Sequence, residues 1–258
     1  MARSHHPPLL SATVAPLGDD LRAGLTTIAA LGLAFVQLAA THPQTRPRDL
    51  SASGRRDLLA TLRRHELICS GIDLWIPPAH FCEREHADRA VDAVVATIEL
   101  AQSIGRVPVS LMFPEQDKVN DTAQGARTAL DAHAEKCGVT LIDYAYPTST
   151  GHVENAWIRS GIDAAAVLAR GDEPSEAVLA AGAALAGVRL SDLTLDGFRR
   201  PLDAQRGRLD IVALRVATDV IGFERAAVID ARQWHDPAAG IAQSVAAWQA
   251  CAPPASRM

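Results

Sequence analysis

Three aspartates stand out as residues whose type and setting could do chemistry in this 258-residue chain. Asp143, Asp163 and Asp230 each close or interrupt a short apolar run, in "VTLID", "GIDAAA" and "AAVID". Three carboxylates that converge supply hard oxygen ligands suited to Mg²⁺ or Mn²⁺. Converging without a cation they repel, and at least one of them is then driven to keep its proton. Arg189 and Asp192, in "GVRLSD", follow another apolar run. A guanidinium there is a fixed positive charge whose fork of donors can hold two of the aspartates. The plainer role for Arg189 is a surface pair with Asp192, and for Asp163 a helix cap. His80, in "DLWIPPAHF", follows two prolines. Their rings fix φ and stiffen the loop, so the imidazole can be held over a site as acid, base or ligand, or pack on Phe81. Trp75 in the same segment offers an apolar wall to a sugar face or fills a core. His152 and Glu154 lie in an irregular stretch, suited to a lid, a ligand or an exposed loop. His80 and His86 with Cys82 match a zinc pattern only loosely, because no second pair follows at fixed spacing. Histidines 5, 6, 42, 65, 86, 133 and 235 are expected on surfaces or helix faces.

The elements that must position these groups alternate. Short β-rich runs precede longer runs of helical periodicity, repeating about every 25 to 35 residues. Strands are expected at 10–15, 34–38, 67–75, 107–112, 139–143, 161–165, 188–190 and 227–229. Helices are expected at 19–31, 55–65, 86–103, 120–136, 174–184, 203–220 and 237–251, with at most a stub of helix inside 145–160 and a loop at 191–201. Eight strand–helix pairs without a Pro/Ser-rich linker predict one (β/α)₈ barrel over residues 1–258, with a reduced fifth helix and flexible ends at 1–9 and 252–258. A doubly wound open sheet is the alternative. In a barrel the reactive groups gather where the carboxyl ends of the strands meet. That census gives Gln37, Asp73, Trp75, Pro114–Glu115, Asp143, Asp163, Arg189, Asp192 and Asp230.

Composition narrows the partners. Hydrophobic residues make up 48% of the chain and charged residues 21%, which excludes a disordered chain. No run approaches about 20 apolar residues and no secretory leader is evident, so a cytoplasmic protein with no membrane partner is expected. A net charge of −5 disfavours nucleic acid. Only Lys118 and Lys136 are lysines among 25 basic residues, a skew that coding bias explains. The cysteines, at 69, 82, 137 and 251, form no CxxC pair and are expected reduced. No GxGxxG, GxxxxGK[ST] or GxSxG follows a strand, so neither a nucleotide cofactor nor serine catalysis is expected.

The order of segments resembles the xylose isomerase-like barrels, the sugar phosphate isomerase/epimerase family. It is carried by "LRAGLTTIAALGLAFVQL", "CGVTLID", "GIDAAAVLARGDEPSEAV", "GVRLSDLTLDG", "AAVIDARQW" and "DPAAGIAQSVAAW". The resemblance implies a (β/α)₈ barrel, a small carbohydrate substrate and a divalent metal (Mn²⁺, Mg²⁺, Co²⁺ or Zn²⁺) holding the sugar's oxygens. It also implies two carboxylates that move a carbon-bound proton through an enediolate. The family's ligand positions fall on Asp143, Asp163 and Asp230; the expected histidines fall on Ala166 and Arg189. The resemblance thus implies Asp143 and Asp230 as the acid/base pair, with all three aspartates as metal ligands; His80, read from its stiff loop, joins them as a candidate catalytic group. Trp75, Arg189, Asp192 and His152 would meet the substrate, and a homodimer is compatible. The competing expectation is an inactive barrel that binds a sugar or a protein, with Arg189 replacing the metal in charge. On that reading the double change Ala166→His with Arg189→His should restore Mn²⁺ binding.

Overall fold

The computed structural model describes residues 9–147 and 156–251. Its strands in chain order are β1 (Leu10–Thr13), β2 (Phe35–Ala39), β3 (Ile68–Asp73), β4 (Val109–Leu111) and β5 (Leu141–Asp143). There follow β6 (Ile158–Asp163), β7 (Leu185–Leu190), β8 (Asp192–Leu193), β9 (Arg199–Arg200) and β10 (Ala227–Ile229). All but β8 and β9 pair in parallel and close a barrel in the order β1-β10-β7-β6-β5-β4-β3-β2. The doubly wound alternative is thereby excluded. The strands are short and built largely from Val, Ile, Leu and Ala, as expected where both faces are covered.

Around the barrel lie α1 (Leu21–Ala30), α2 (Ala52–Arg64), α3 (Arg84–Ser103), α4 (Asp121–Cys137), α5 (Ala164–Ala169), α6 (Pro174–Ala181), α7 (Ile211–Val220) and α8 (Pro237–Ala250). The side chains of Asp20, Ser51, Asn120, Asp163, Asp210 and Asp236 cap six of these by accepting first-turn amides. One apolar core unites strands and helices, with Leu25, Ile28, Leu38, Ile72, Ile98, Leu100, Leu130 and Val188 fully enclosed.

Tyr144, one residue past β5, lies across β6 and β7 inside the barrel. Gly161 and Gly187 make the room: a Cβ at Gly161 would stand 2.7 Å from the tyrosine ring, and one at Gly187 would collide with its hydroxyl. The phenol therefore fills the space beneath the mouth.

Several expected boundaries shift. The sixth strand starts at Ile158, and Ala164 and Ala165 belong to α5, because Asp163 caps that helix. The expected helix at 203–220 begins only at Ile211. Residues 203–210 instead turn around two carboxylates, Asp203 accepting from the amides of Gln205 and Arg206, and Asp192 from those of Arg208 and Leu209. The loop expected at 191–201 contains the antiparallel β8–β9 hairpin. Between β5 and β6 the described residues hold no helix. Residues 148–155, with His152 and Glu154, lie outside the described residues, as do 1–8, with His5 and His6, and 252–258.

Candidate functional site at the barrel mouth

The strand ends place Asp73 (β3), Asp143 (β5), Asp163 (β6), Arg189 (β7) and Asp230 (after β10) around one mouth, all of them buried. Every one of the four aspartates is held by a guanidinium. Arg232, two residues past Asp230, grips it in fork geometry, Nε to Oδ1 at 2.8 Å and Nη2 to Oδ2 at 2.6 Å. Its third nitrogen reaches Asp73 Oδ2 at 3.1 Å. Arg199, opposite Leu193 in the β8–β9 hairpin, donates to Asp163 Oδ2 at 2.6 Å and to Asp230 Oδ2 at 3.5 Å. Arg189 donates to the other oxygen of Asp73, and its guanidinium lies 3.8 Å from the centre of the Tyr144 ring. Asp143 sits at the edge of this lattice. Its Oδ1 accepts from the amides of Phe113 and Ala145 at 3.1 and 3.0 Å, and its Oδ2 from Arg127 at 3.0 Å.

These pairings set the protonation states. Burial by itself would push the Asp230 carboxyl up; the hydrogen bond and charge of Arg232, with the charges of Arg189 and Arg199, outweigh it and hold the group down at about 2. Burial works against the charge on Arg232 and Arg199 too, but Asp230, Asp73 and Asp163 raise Arg232, and Asp163 and Asp230 raise Arg199, above the ordinary arginine value. Tyr144 is pushed up to about 12, chiefly by burial, against the opposing pull of Arg189.

The expected roles can now be set against the geometry. Asp163 is both helix cap and arginine partner, its Oδ1 accepting from the Ala166 amide at 3.3 Å. Arg189 does not bridge any two of Asp143, Asp163 and Asp230, nor is it a surface partner of Asp192: it is buried and bonded to Asp73, 116 residues away in sequence. Asp192 is enclosed, and its oxygens accept the amides of Leu193, Arg208 and Leu209. It therefore shapes the 203–210 turn rather than facing a substrate. Trp75 lies just beyond β3 with 62% of its surface exposed, which rules out a core role. His80 groups not with the mouth carboxylates but with Glu83 and His86, three side chains whose donor atoms all lie within 4.8 Å of one another. Among the described residues no other set of three His, Cys, Asp or Glu side chains meets that spacing, so Asp143, Asp163 and Asp230 do not form a compact ligand set.

A divalent metal at the mouth does not fit these residues. Asp230 accepts four N–H donors from Arg232 and Arg199, and Asp163 gives one oxygen to Arg199 and the other to the Ala166 amide, so a metal ion would have to displace a fixed guanidinium from both. Sequence reading missed Arg127, Arg199 and Arg232. Arg232 had a local signal in Asp-x-Arg at a strand end; Arg199 and Arg127 had none, since a hairpin and a helix bring them in from elsewhere.

Solved structures with the same barrel identify the fold. A xylose isomerase domain protein from Planctomyces limnophilus superposes with a TM-score of 0.76 at 17% identity, over 95% of this chain and 96% of that one. The chain has the xylose isomerase-like barrel fold. A xylose isomerase-like TIM barrel protein from Mycobacterium smegmatis, solved with magnesium, gives 0.71 at 18% identity, covering 97% and 98%. D-psicose 3-epimerase from Clostridium cellulolyticum H10, solved with D-tagatose, gives 0.70 at 13%, covering 94% and 96%. No protein-family model matches the sequence, and no curated protein is significantly similar to it. Among the described residues of this xylose isomerase-like barrel, no helix is long and apolar enough to cross a membrane.

Proposed function

We propose that this protein binds a carbohydrate at the mouth of its xylose isomerase-like barrel through arginine donors, without metal-assisted proton transfer. One observation carries the reading: each mouth carboxylate is matched to a guanidinium. An enediolate mechanism needs a base able to take a proton from carbon. Asp230, held at about 2, has little affinity for one. Asp143, the other expected member of the acid/base pair, is engaged by Arg127 and two backbone amides.

The same lattice suits recognition. Arg199 and Arg232 keep 20% and 30% of their side chains accessible, so they are the partly open members of the lattice. A guanidinium has five N–H donors; Arg232 uses three nitrogens on Asp73 and Asp230, and Arg199 uses two on Asp163 and Asp230. The remaining donors fit hydroxyl and carbonyl oxygens, and the exposed indole of Trp75 can meet the apolar face of a sugar ring. The structural neighbours support a carbohydrate as the ligand class, since D-psicose 3-epimerase was solved with D-tagatose.

The test is calorimetry with a panel of ketoses, aldoses and their phosphates in EDTA, alongside NMR of deuterium uptake at the sugar carbons in D₂O. The expected result is metal-independent binding, weakened by Arg199→Ala and Trp75→Ala, with no deuterium uptake. Deuterium uptake that depends on added Mn²⁺ would overturn the reading.

A further inference from the structure

We propose that His80, Glu83 and His86 form a three-ligand site for a zinc-class divalent cation on the loop leaving β3, separate from the arginine-held mouth. Two imidazoles and one carboxylate match the donor set of three-ligand zinc sites, which leave a fourth position to water. The three residues recur at every third position through the 3₁₀ turn Pro78–Phe81 into the first turn of α3, so one face of the chain presents them together. His86 Nε2 stands 3.6 Å from Glu83 Oε2, and the two imidazole rings are 4.7 Å apart, tilted by 46°. With bonds of about 2.0–2.1 Å, tetrahedral zinc ligands sit roughly 3.3 Å from one another. The cluster thus needs only side-chain rotation to close on an ion.

Three further features favour a cation here. Glu83 is the N-cap residue of α3, yet its side chain accepts no amide from the helix and faces His86 instead. Among the described residues no arginine or lysine forms a salt bridge with Glu83. The loop is also held by contacts that do not involve the three ligands: Phe81 is fully buried against Phe113, with ring centres 5.1 Å apart, and Asn120 donates to the Cys82 carbonyl. Cys82 itself turns away to the Lys118 carbonyl, leaving two nitrogens and one oxygen as the donor set. His86 Nδ1 is buried without an acceptor, so the ring lacks the outer hydrogen bond that steadies tightly bound zinc. An exchangeable ion that clamps the Trp75-bearing loop to α3 is the consequence.

The experiment is titration of the EDTA-stripped full chain with ZnCl₂ by calorimetry, in the wild type and in His86→Ala, Glu83→Gln and Asp163→Asn. One zinc per chain is expected, weakened about tenfold or more by His86→Ala and by Glu83→Gln and unchanged by Asp163→Asn. Glu83 is exposed and caps nothing, so Glu83→Gln remains decisive if His86→Ala folds poorly. Absence of zinc binding in the wild type would overturn the proposal. So would binding that survives both His86→Ala and Glu83→Gln, as from the His5–His6 pair, or binding lost only in Asp163→Asn.

Discussion

The mouth and the loop beyond β3 each gather metal-ligating side chains, and they differ in what else is present. At the mouth Asp73, Asp163 and Asp230 meet Arg189, Arg199 and Arg232, and positive charge is already supplied by covalently fixed groups. In the His80–Glu83–His86 cluster the carboxylate forms a salt bridge, among the described residues, with an imidazole and with no guanidinium. The number of potential ligands does not separate the two regions. The presence of guanidinium partners does, because an ion binding at the mouth would have to displace a fixed positive charge from each carboxylate.

The strongest way to break this contrast is Arg232→Ala. It would leave Asp230, with no exposed surface, without its main partner, and Asp73 with Arg189 alone. Breaking a buried ion pair from one side costs about 3–5 kcal/mol. Urea unfolding should show a loss of that order, whereas Glu83→Gln in the metal-free protein should stay within about 0.5 kcal/mol, as exposed positions do. A loss below about 1 kcal/mol for Arg232→Ala would mean that the lattice is loose and that its aspartates are not committed to arginine.

Acid sharpens the same contrast at a smaller scale. The Asp230 carboxyl lies at about 2 in the folded chain against an ordinary 3.8. A group depressed by folding stabilises the native state fully above its unfolded value, and that contribution is lost as pH falls through the folded value. The difference is worth about 2 kcal/mol. Stability in urea should therefore be level from neutral pH down to about 4 on this account and fall between about 4 and 2. Asp230→Asn, whatever its effect on stability at neutral pH, should flatten that segment of the profile. An unchanged slope in Asp230→Asn would show that the lattice does not hold this group.

Much of the architecture was legible because its signals are local. Alternating β and helical runs give the barrel, and Asp163, legible as a helix cap, does cap α5. The strand-end aspartates were legible for the same reason: each follows a run of buried apolar residues. Apart from Arg232, two residues past Asp230, their partners were not. Arg189 meets Asp73 across 116 residues, and Arg199 reaches Asp163 and Asp230 only because a short hairpin folds inward from a stretch that reads as loop. The rest of the charge compensation is decided by closure of the barrel, which no local pattern encodes.

That closure bears on the smallest expected effect, which is none. Sequence alone suggests that Ala166→His with Arg189→His would rebuild a Mn²⁺ site. With Arg199 on Asp163 and Arg232 on Asp230, the two new imidazoles would find their neighbouring carboxylates still occupied. A ligand at about 100 times its Kd adds roughly 2.7 kcal/mol, and at about 2–4 °C per kcal/mol for a chain of this size that is a shift of roughly 5–11 °C. The double variant, melted in EDTA and then in saturating Mn²⁺, should show no such shift. A shift of that size, abolished by Asp163→Asn, would mean that the arginines yield to a metal once the histidines are present. The two regions would then differ in degree rather than in kind.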